Sequence, residues 1–258
     1  MKILLIGDVV GECGVRYLKN NLDSFRRKNG IDMIICNGEN AAKGNGLDLS
    51  SAESLFSSGV DVITSGNHIW HRHETQHFID DYENVLRPAN YPGDCPGNGY
   101  VIYNAFGVRV LVISLMGTVY LDSLPCPFAC CERILSRESG NYDISIVDFH
   151  GEATSEKAAF ARYFDGKLSA VVGTHTHVQT ADERIFKSGT AFITDLGMTG
   201  AYESILGVKE ECILQKFLTK MPVRFEQADG VCQFNGIIID FDNTSFKAKS
   251  IQRIFITE

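Results

Sequence analysis

Two histidines separated by one residue close the segment Leu168-Ser-Ala-Val-Val-Gly-Thr-His175-Thr-His177. An apolar run with strand character stops at Gly173, and in an extended backbone residues i and i+2 project to one side. His175 and His177 can therefore face one point beyond the strand end, and paired neutral imidazoles suit zinc, iron, manganese or nickel. Other strand ends carry comparable side chains. A first strand ends in Gly7-Asp8, a second in Asn37-Gly38-Glu39-Asn40, a third in Ser65-Gly66-Asn67-His68, and a later one in Phe149-His150. Open α/β sheets place their sites at these carboxyl ends. Each residue alone has a plainer explanation. Asp8 can cap a helix, Glu39 and Asn40 can be turn residues, Asn67 can stabilise a tight turn, and His150 can be a buried, hydrogen-bonded histidine. Their coincidence, with glycines flanking nearly every one so that backbones approach closely, favours a shared site.

The donor set is Asp8, Glu39, Asn40, Asn67, His150, His175 and His177: carboxylates, carboxamides and imidazoles of mixed hard and borderline character. A carboxylate can bridge two ions about 3.5–4 Å apart that share a hydroxide. Structural zinc prefers cysteine-rich sets and calcium all-oxygen sets. The set suits two metal ions, with iron, manganese or zinc fitting best and none of the three ranked above the others by the donors.

The elements that must position these groups read as one α/β domain over residues 1–258. Short strands are expected at 2–7, 32–36 and 60–64, with helices at 15–28, 49–58 and 74–82 between and after them. That alternation suggests parallel strands joined by crossover helices. Beyond Arg87-Pro-Ala-Asn-Tyr-Pro92 the texture changes to a hairpin at 99–105 and 108–114, then an irregular stretch turning helical before 137. Strands at 143–148 and 168–172 flank a helix near 155–163. A short hairpin at 184–186 and 191–194, a helix near 209–218, and a closing hairpin at 232–241 and 245–255 complete the chain.

Bulk composition narrows the function. The chain has 24 Lys plus Arg against 32 Asp plus Glu, a formal charge of −8, which repels polyanions and argues against stable nucleic-acid binding. No stretch has the length of an apolar membrane span. The N-terminus turns polar after four apolar residues, so a cytoplasmic location is expected. The cysteines at 13, 36, 95, 126, 130, 131, 212 and 232 form no CxxC pair and read as reduced thiols.

With these motifs in hand, the chain resembles the calcineurin-like metallophosphoesterases. Gly66-Asn67-His68 matches their Gly-Asn-His, His150 their lone histidine, and Gly173-Thr-His175-Thr-His177 their last motif with one residue inserted. It resembles the bacterial YmdB-type branch more closely, through Ile6-Gly-Asp-Val-Val-Gly11, Asn37-Gly-Glu-Asn-Ala-Ala42, Val147-Asp-Phe-His150, Glu152-Ala-Thr-Ser-Glu-Lys157, Val172 to Asp182, and Thr194-Asp-Leu-Gly-Met-Thr-Gly200. Val10 stands where the broad superfamily has a histidine and Glu39 where it has a bridging aspartate; both departures belong to this branch. His71 stands where the branch often has aspartate.

The resemblance implies a four-layer α/β/β/α sandwich of two mixed sheets holding a dinuclear centre. Asp8, Glu39, Asn40 and His177 would hold one ion, and Glu39, Asn67, His150 and His175 the other. It further implies hydrolysis of small phosphodiesters, 2′,3′- and 3′,5′-cyclic nucleotides among them. The expected mechanism is in-line attack on phosphorus by a hydroxide bridging the ions, with His68 donating the leaving-group proton. The alternatives are a phosphomonoesterase or protein phosphatase, and a non-catalytic metal-bound regulator. The expected partner is a small phosphodiester, with no membrane, and the sequence leaves room for a homo-oligomer. His71, His73 and His77 read as a polar helix start near the site.

Overall fold

Hydrophobic alternation decides which way each strand faces. The computed structural model describes residues 1–258. The first half contains β1 (Lys2–Ile6), β2 (Asp8–Val9), α1 (Gly11–Asn29), β3 (Met33–Asn37), α2 (Leu49–Ser57), β4 (Val62–Thr64), α3 (Thr75–Phe78), β5 (Tyr100–Ala105) and β6 (Val108–Met116). The second contains α4 (Pro127–Arg137), β7 (Ile144–His150), α5 (Thr154–Tyr163), β8 (Ala170–Thr174), β9 (Arg184–Ile185) and β10 (Ala191–Ile193). It ends with β11 (Met198–Ala201), α6 (Glu210–Thr219), β12 (Cys232–Phe241) and β13 (Ala248–Thr257).

These strands form two mixed sheets. One runs β2-β11-β12-β1-β3-β4 with β13 also paired to β12, and the other runs β5-β6-β7-β8-β10-β9. In the first, β1 is parallel to β3 and antiparallel to β12. In the second, β7 is parallel to β6 and β8, while β5 and β6 form the antiparallel hairpin that the sequence announces.

Three hydrophobic layers separate four structural ones. Ile3 and Leu5 of β1 meet Val110 and Val112 of β6 and Ile144 and Ile146 of β7 between the sheets. Leu4 and Ile6, pointing the other way, pack with Leu18 and Leu22 of α1 and Leu55 of α2. On the far side, Leu111 and Ile113 of β6 and Val147 and Phe149 of β7 pack under Cys131 and Ile134 of α4 and Phe160 of α5. The expected α/β/β/α sandwich is therefore present. No helix is long and apolar enough to cross a membrane.

Several boundaries differ from the sequence reading. α1 begins at Gly11 rather than 15, and its N-cap is Val10 with no side-chain cap. Asp8 is thus not a helix cap. The helix expected at 74–82 is α3 followed by a 3-10 turn at Ile79–Asp81. The second arm of the closing hairpin starts three residues late, because Asp242 Oδ1 accepts the amides of Thr244 and Ser245 and widens the turn. β2 and β11, each under five residues, carry no periodic signal; β2 is held by β11, and β11 by both β2 and β12.

Candidate metal centre

The carboxyl ends of β1, β3, β4, β7 and β8 meet at one edge of the two sheets, and the sequence-selected residues meet with them. Asp8 and Glu39 are fully buried, Asn40 nearly so, and His150 fully buried. Glu39 is central. Its Oε2 accepts the His68 amide at 3.0 Å, while its Oε1 accepts Asn40 Nδ2 at 3.2 Å and lies 3.3 Å from His150 Nε2. The turn presenting it is fixed by Asn37, whose Oδ1 accepts the Glu39 amide at 3.1 Å.

Two groupings can be distinguished. His150 Nε2 lies 2.9 Å from Asn67 Oδ1 and 3.0 Å from His175 Nδ1, so Glu39, Asn67, His150 and His175 converge. Glu39, His150 and His175 place ligand atoms within 4.8 Å of one another. On the other side, His177 Nε2 lies 3.3 Å from Asn40 Nδ2 and 3.8 Å from Asp8 Oδ1. All seven residues of the expected set are therefore brought together.

The histidine pair reaches this arrangement by a different route from the one its spacing suggests. The backbone there is not extended: His175 has φ 103° and His177 φ 64°. A strained loop, not strand alternation, turns the rings.

Each imidazole has one nitrogen at the cleft and the other tied elsewhere, which fixes tautomer and orientation. His150 Nδ1 donates to Thr174 Oγ1 at 3.0 Å, and the Thr174 hydroxyl donates to Asp148 Oδ1 at 2.7 Å. His175 Nε2 faces Glu152 Oε2 at 3.2 Å, and His177 Nδ1 donates to the Leu206 carbonyl at 3.0 Å. Sequence reasoning selected neither Asp148, Thr174, Glu152 nor Leu206. Glu152 and Asp148 lie in quoted motifs; a backbone carbonyl such as that of Leu206 leaves no sequence signal. Gly66 is required at its place, since a Cβ there would lie 2.2 Å from the His150 ring.

The donor set fits metal ions. Asp8 Oδ1 is buried with no hydrogen-bond partner, so no hydrogen bond compensates its desolvation. Burial pushes the Asp8 carboxyl up to about 6, against the opposing pull of His177 and His150. Burial likewise raises Glu39, but His150 and His68 overcome it and hold this carboxyl well below the usual range. Burial opposes the charged form of His150, yet Glu39 and Asp8 raise it to about 9. Burial and the neighbouring His150 push His175 down to about 3, leaving a neutral imidazole, the form able to ligate a metal. Cations set among these carboxylates would displace the proton from His150 and satisfy Asp8.

His68 stands on the wall of the same cleft. Its Nδ1 donates to Asn40 Oδ1 at 2.8 Å and lies 3.1 Å from Glu39 Oε1, while its Nε2 has no protein partner. The cleft has a volume of about 350 Å³ and is lined by Glu39, Asn40, His68, Glu152, His175 and His177 among others. A larger hollow of about 730 Å³ lies beside it, sharing Gln227, but gathers no convergent ligands. His71 lies beside His68 with ring centroids 4.4 Å apart and the rings tilted by 41°, whereas His73 and His77 pair with each other on the exposed helix start.

Comparison with known proteins gives concordant matches. Residues 4–254 match the family model described as YmdB-like protein. A Bacillus subtilis (strain 168) protein named 2′,3′-cyclic-nucleotide 2′-phosphodiesterase is 46% identical over 258 residues, covering 100% of this chain and 98% of that protein. The crystal structure of a hypothetical protein from Thermus thermophilus matches with TM-score 0.94 and 40% identity, covering 100% of each chain. That of a novel phosphatase from Mycoplasma pneumoniae matches with TM-score 0.93 and 33% identity, covering 100% of this chain and 93% of the other.

Proposed function

Because the chain belongs to the YmdB-like family, we propose that it is a dinuclear-metal phosphodiesterase acting on small cyclic nucleotides, with 2′,3′-cyclic and then 3′,5′-cyclic AMP as the substrates to test. The observation that carries this reading is the cleft itself: buried carboxylates, carboxamides and neutral imidazoles at one edge, with Asp8 Oδ1 unpartnered. Asp8, Glu39, Asn40 and His177 would hold one ion and Glu39, Asn67, His150 and His175 the other. Iron is the expected metal, with manganese or zinc as alternatives. When bound, the pair supplies Lewis acidity toward the phosphate oxygens and a water acidic enough to act as nucleophile near neutral pH.

The protein's own groups do the rest. His68, anchored through Nδ1 by Asn40, offers its free Nε2 to the departing alkoxide as proton donor. Thr174 and Leu206 keep the rings of His150 and His177 from turning. The carboxylate of Glu152, half exposed on the cleft wall, disfavours a second negative charge on the bound phosphate. That favours a singly charged diester over a doubly charged monoester. It is the specific argument against the phosphomonoesterase alternative.

The test is metal analysis by inductively coupled plasma mass spectrometry on anaerobically purified protein, paired with turnover of 2′,3′-cyclic AMP, 3′,5′-cyclic AMP, bis-p-nitrophenyl phosphate and p-nitrophenyl phosphate. Two ions per chain and preference for the diesters are expected. Metal binding without turnover of any ester would instead support the non-catalytic regulator.

A further inference from the structure

Lys157 on α5 is the one lysine in the chain that is buried, with no solvent exposure at all. Its Nζ donates to Asp195 Oδ2 at 2.7 Å, and Asp195 is equally buried in the turn after β10. The aliphatic stem runs through the space a side chain at position 173 would occupy: a Cβ on Gly173 would lie 2.8 Å from Lys157 Cδ. The glycine before the histidine pair therefore makes room for the Thr194 carbonyl, 1.8 Å from that Cβ position, and for this lysine beside it.

A buried ion pair is a poor source of stability. The desolvation of two charges offsets most of their attraction, and apolar replacement of such pairs is often neutral or stabilising. What the pair touches explains its presence better. Asp195 Oδ2 also accepts the amide of Thr176 at 3.1 Å, between the two histidines, and Oδ1 accepts the amide of Gly197 at 2.9 Å. The Gly197 carbonyl in turn accepts the Asp8 amide at 3.0 Å, and Asp8 Oδ2 accepts the His175 amide at 3.1 Å. A closed circuit thus runs from Asp8 through Gly197, Asp195 and Thr176 to His175 and back. Non-glycine residues at positive φ cost about 1–3 kcal/mol each and persist only where their surroundings enforce them. His175 and His177 both adopt that conformation.

We propose that Lys157 and Asp195 are positioning residues for the metal centre, holding the strained Thr176 loop so that His175 and His177 stay turned toward different ions and Asp8 stays in register with them. This rests on the reading that those three residues are ligands. Asp195 acts on the ligands through backbone amides; Lys157 acts on them through Asp195.

The informative variant is the double substitution Lys157→Met with Asp195→Asn, which removes both charges and leaves neither partner stranded. Affinity for Mn²⁺ is titrated calorimetrically on chelator-treated protein, and thermal unfolding of the metal-free protein is followed in parallel. The expected result is Mn²⁺ affinity weakened about 10–100-fold, the usual scale for groups that orient ligands, with metal-free unfolding close to wild type. Lys157→Met alone, which strands a buried carboxylate, should lose the same affinity and unfold earlier. Wild-type affinity in the double variant would overturn the proposal. So would an affinity loss matched in both variants by loss of the metal-free fold, which would assign the pair to folding. A wild-type protein that takes up no Mn²⁺, iron or zinc would remove the ligand reading itself and this inference with it.

Discussion

The two sheets bring different chemistry to the shared cleft, and they secure it differently. The first sheet delivers oxygen: Asp8 after β1, Glu39 and Asn40 after β3, Asn67 after β4. The second delivers nitrogen: His150 at the end of β7, His175 and His177 after β8. Asp8, Glu39 and Asn40 are buried on the oxygen side, and Glu39 and Asn40 are cross-braced there, since Glu39 binds Asn40 and His68 while Asn40 binds His68; Asp8 is tied instead to Gly197 and the His175 amide. On the nitrogen side only His150 is equally enclosed, and the side chains of His175 and His177 remain 18% and 14% exposed on a strained loop. Glu39, Asn40 and His68 support one another. The histidines depend on Thr174, Leu206 and the Lys157–Asp195 pair, and Asp8 shares that last support.

The most severe way to break this comparison is to remove the residue both halves share. Glu39→Gln keeps the shape but removes the charge that faces His150, His68 and Asn40. Metal content should fall to background, with turnover of 2′,3′-cyclic AMP reduced about 10³–10⁵-fold, the equivalent of several kcal/mol of lost charge stabilisation. Metal analysis and initial rates check it. A variant that still holds two ions would show that the halves are not joined at Glu39.

His68→Asn should come next. The amide preserves a hydrogen bond to Asn40 yet carries no transferable proton, so both ions should remain while turnover falls about 10²–10⁴-fold. Loss of the ions would make His68 part of the oxygen-side framework rather than the proton donor. A smaller, selective effect separates the two histidines of the loop. His175→Ala should deplete the ion shared with His150 and Asn67, and His177→Ala the one shared with Asp8 and Asn40, each leaving about one ion per chain. If either variant keeps both, the two groupings are one.

Much of the oxygen side was legible in the sequence, because each donor sits directly after a short buried strand beside a glycine, as in Gly7-Asp8 and Gly66-Asn67. The layered fold was legible too, since alternation in β1 and β6 sorts residues between two cores. The nitrogen side was legible in composition but not in cause. Spacing of two suggested an extended backbone at His175-Thr-His177, and the structure has positive φ there instead. The groups that enforce it, Lys157 and Asp195, lie 18 residues before His175 and 18 after His177 in unrelated elements, and pairing over such distances leaves no periodic trace. β2 and β11 were missed for the same reason: β2 is stabilised by β11 and β11 by β2 and β12, not by a pattern of their own.

The gentlest probe lies at the outer end of the nitrogen-side loop. Asp182 Oδ1 accepts the Thr180 hydroxyl at 2.7 Å and the Thr194 amide at 3.1 Å, tying the chain after His177 to the exit of β10. Burial raises its pKa, but the hydrogen bonds from Thr194 and Thr180 prevail and hold it below the ordinary aspartate value of 3.8. A carboxyl depressed in the folded state stabilises the protein above its unfolded pKa, and that contribution is lost as pH falls through the lower folded value. Asp182→Asn should therefore cost about 1 kcal/mol near neutrality, discounted for the solvent around this partly exposed group, or about 2–4 °C in melting temperature. In urea titrations of metal-free protein the gap between wild type and variant should shrink as pH falls below about 3.8 and close once the folded carboxyl is protonated. Metal content near neutrality should stay at wild-type level, because Asp182 bonds the loop beyond the histidines. A gap that stays constant with pH would place its contribution in packing. Loss of an ion would extend the dependent half of the site past Thr180 and make the contrast between the two sheets larger still.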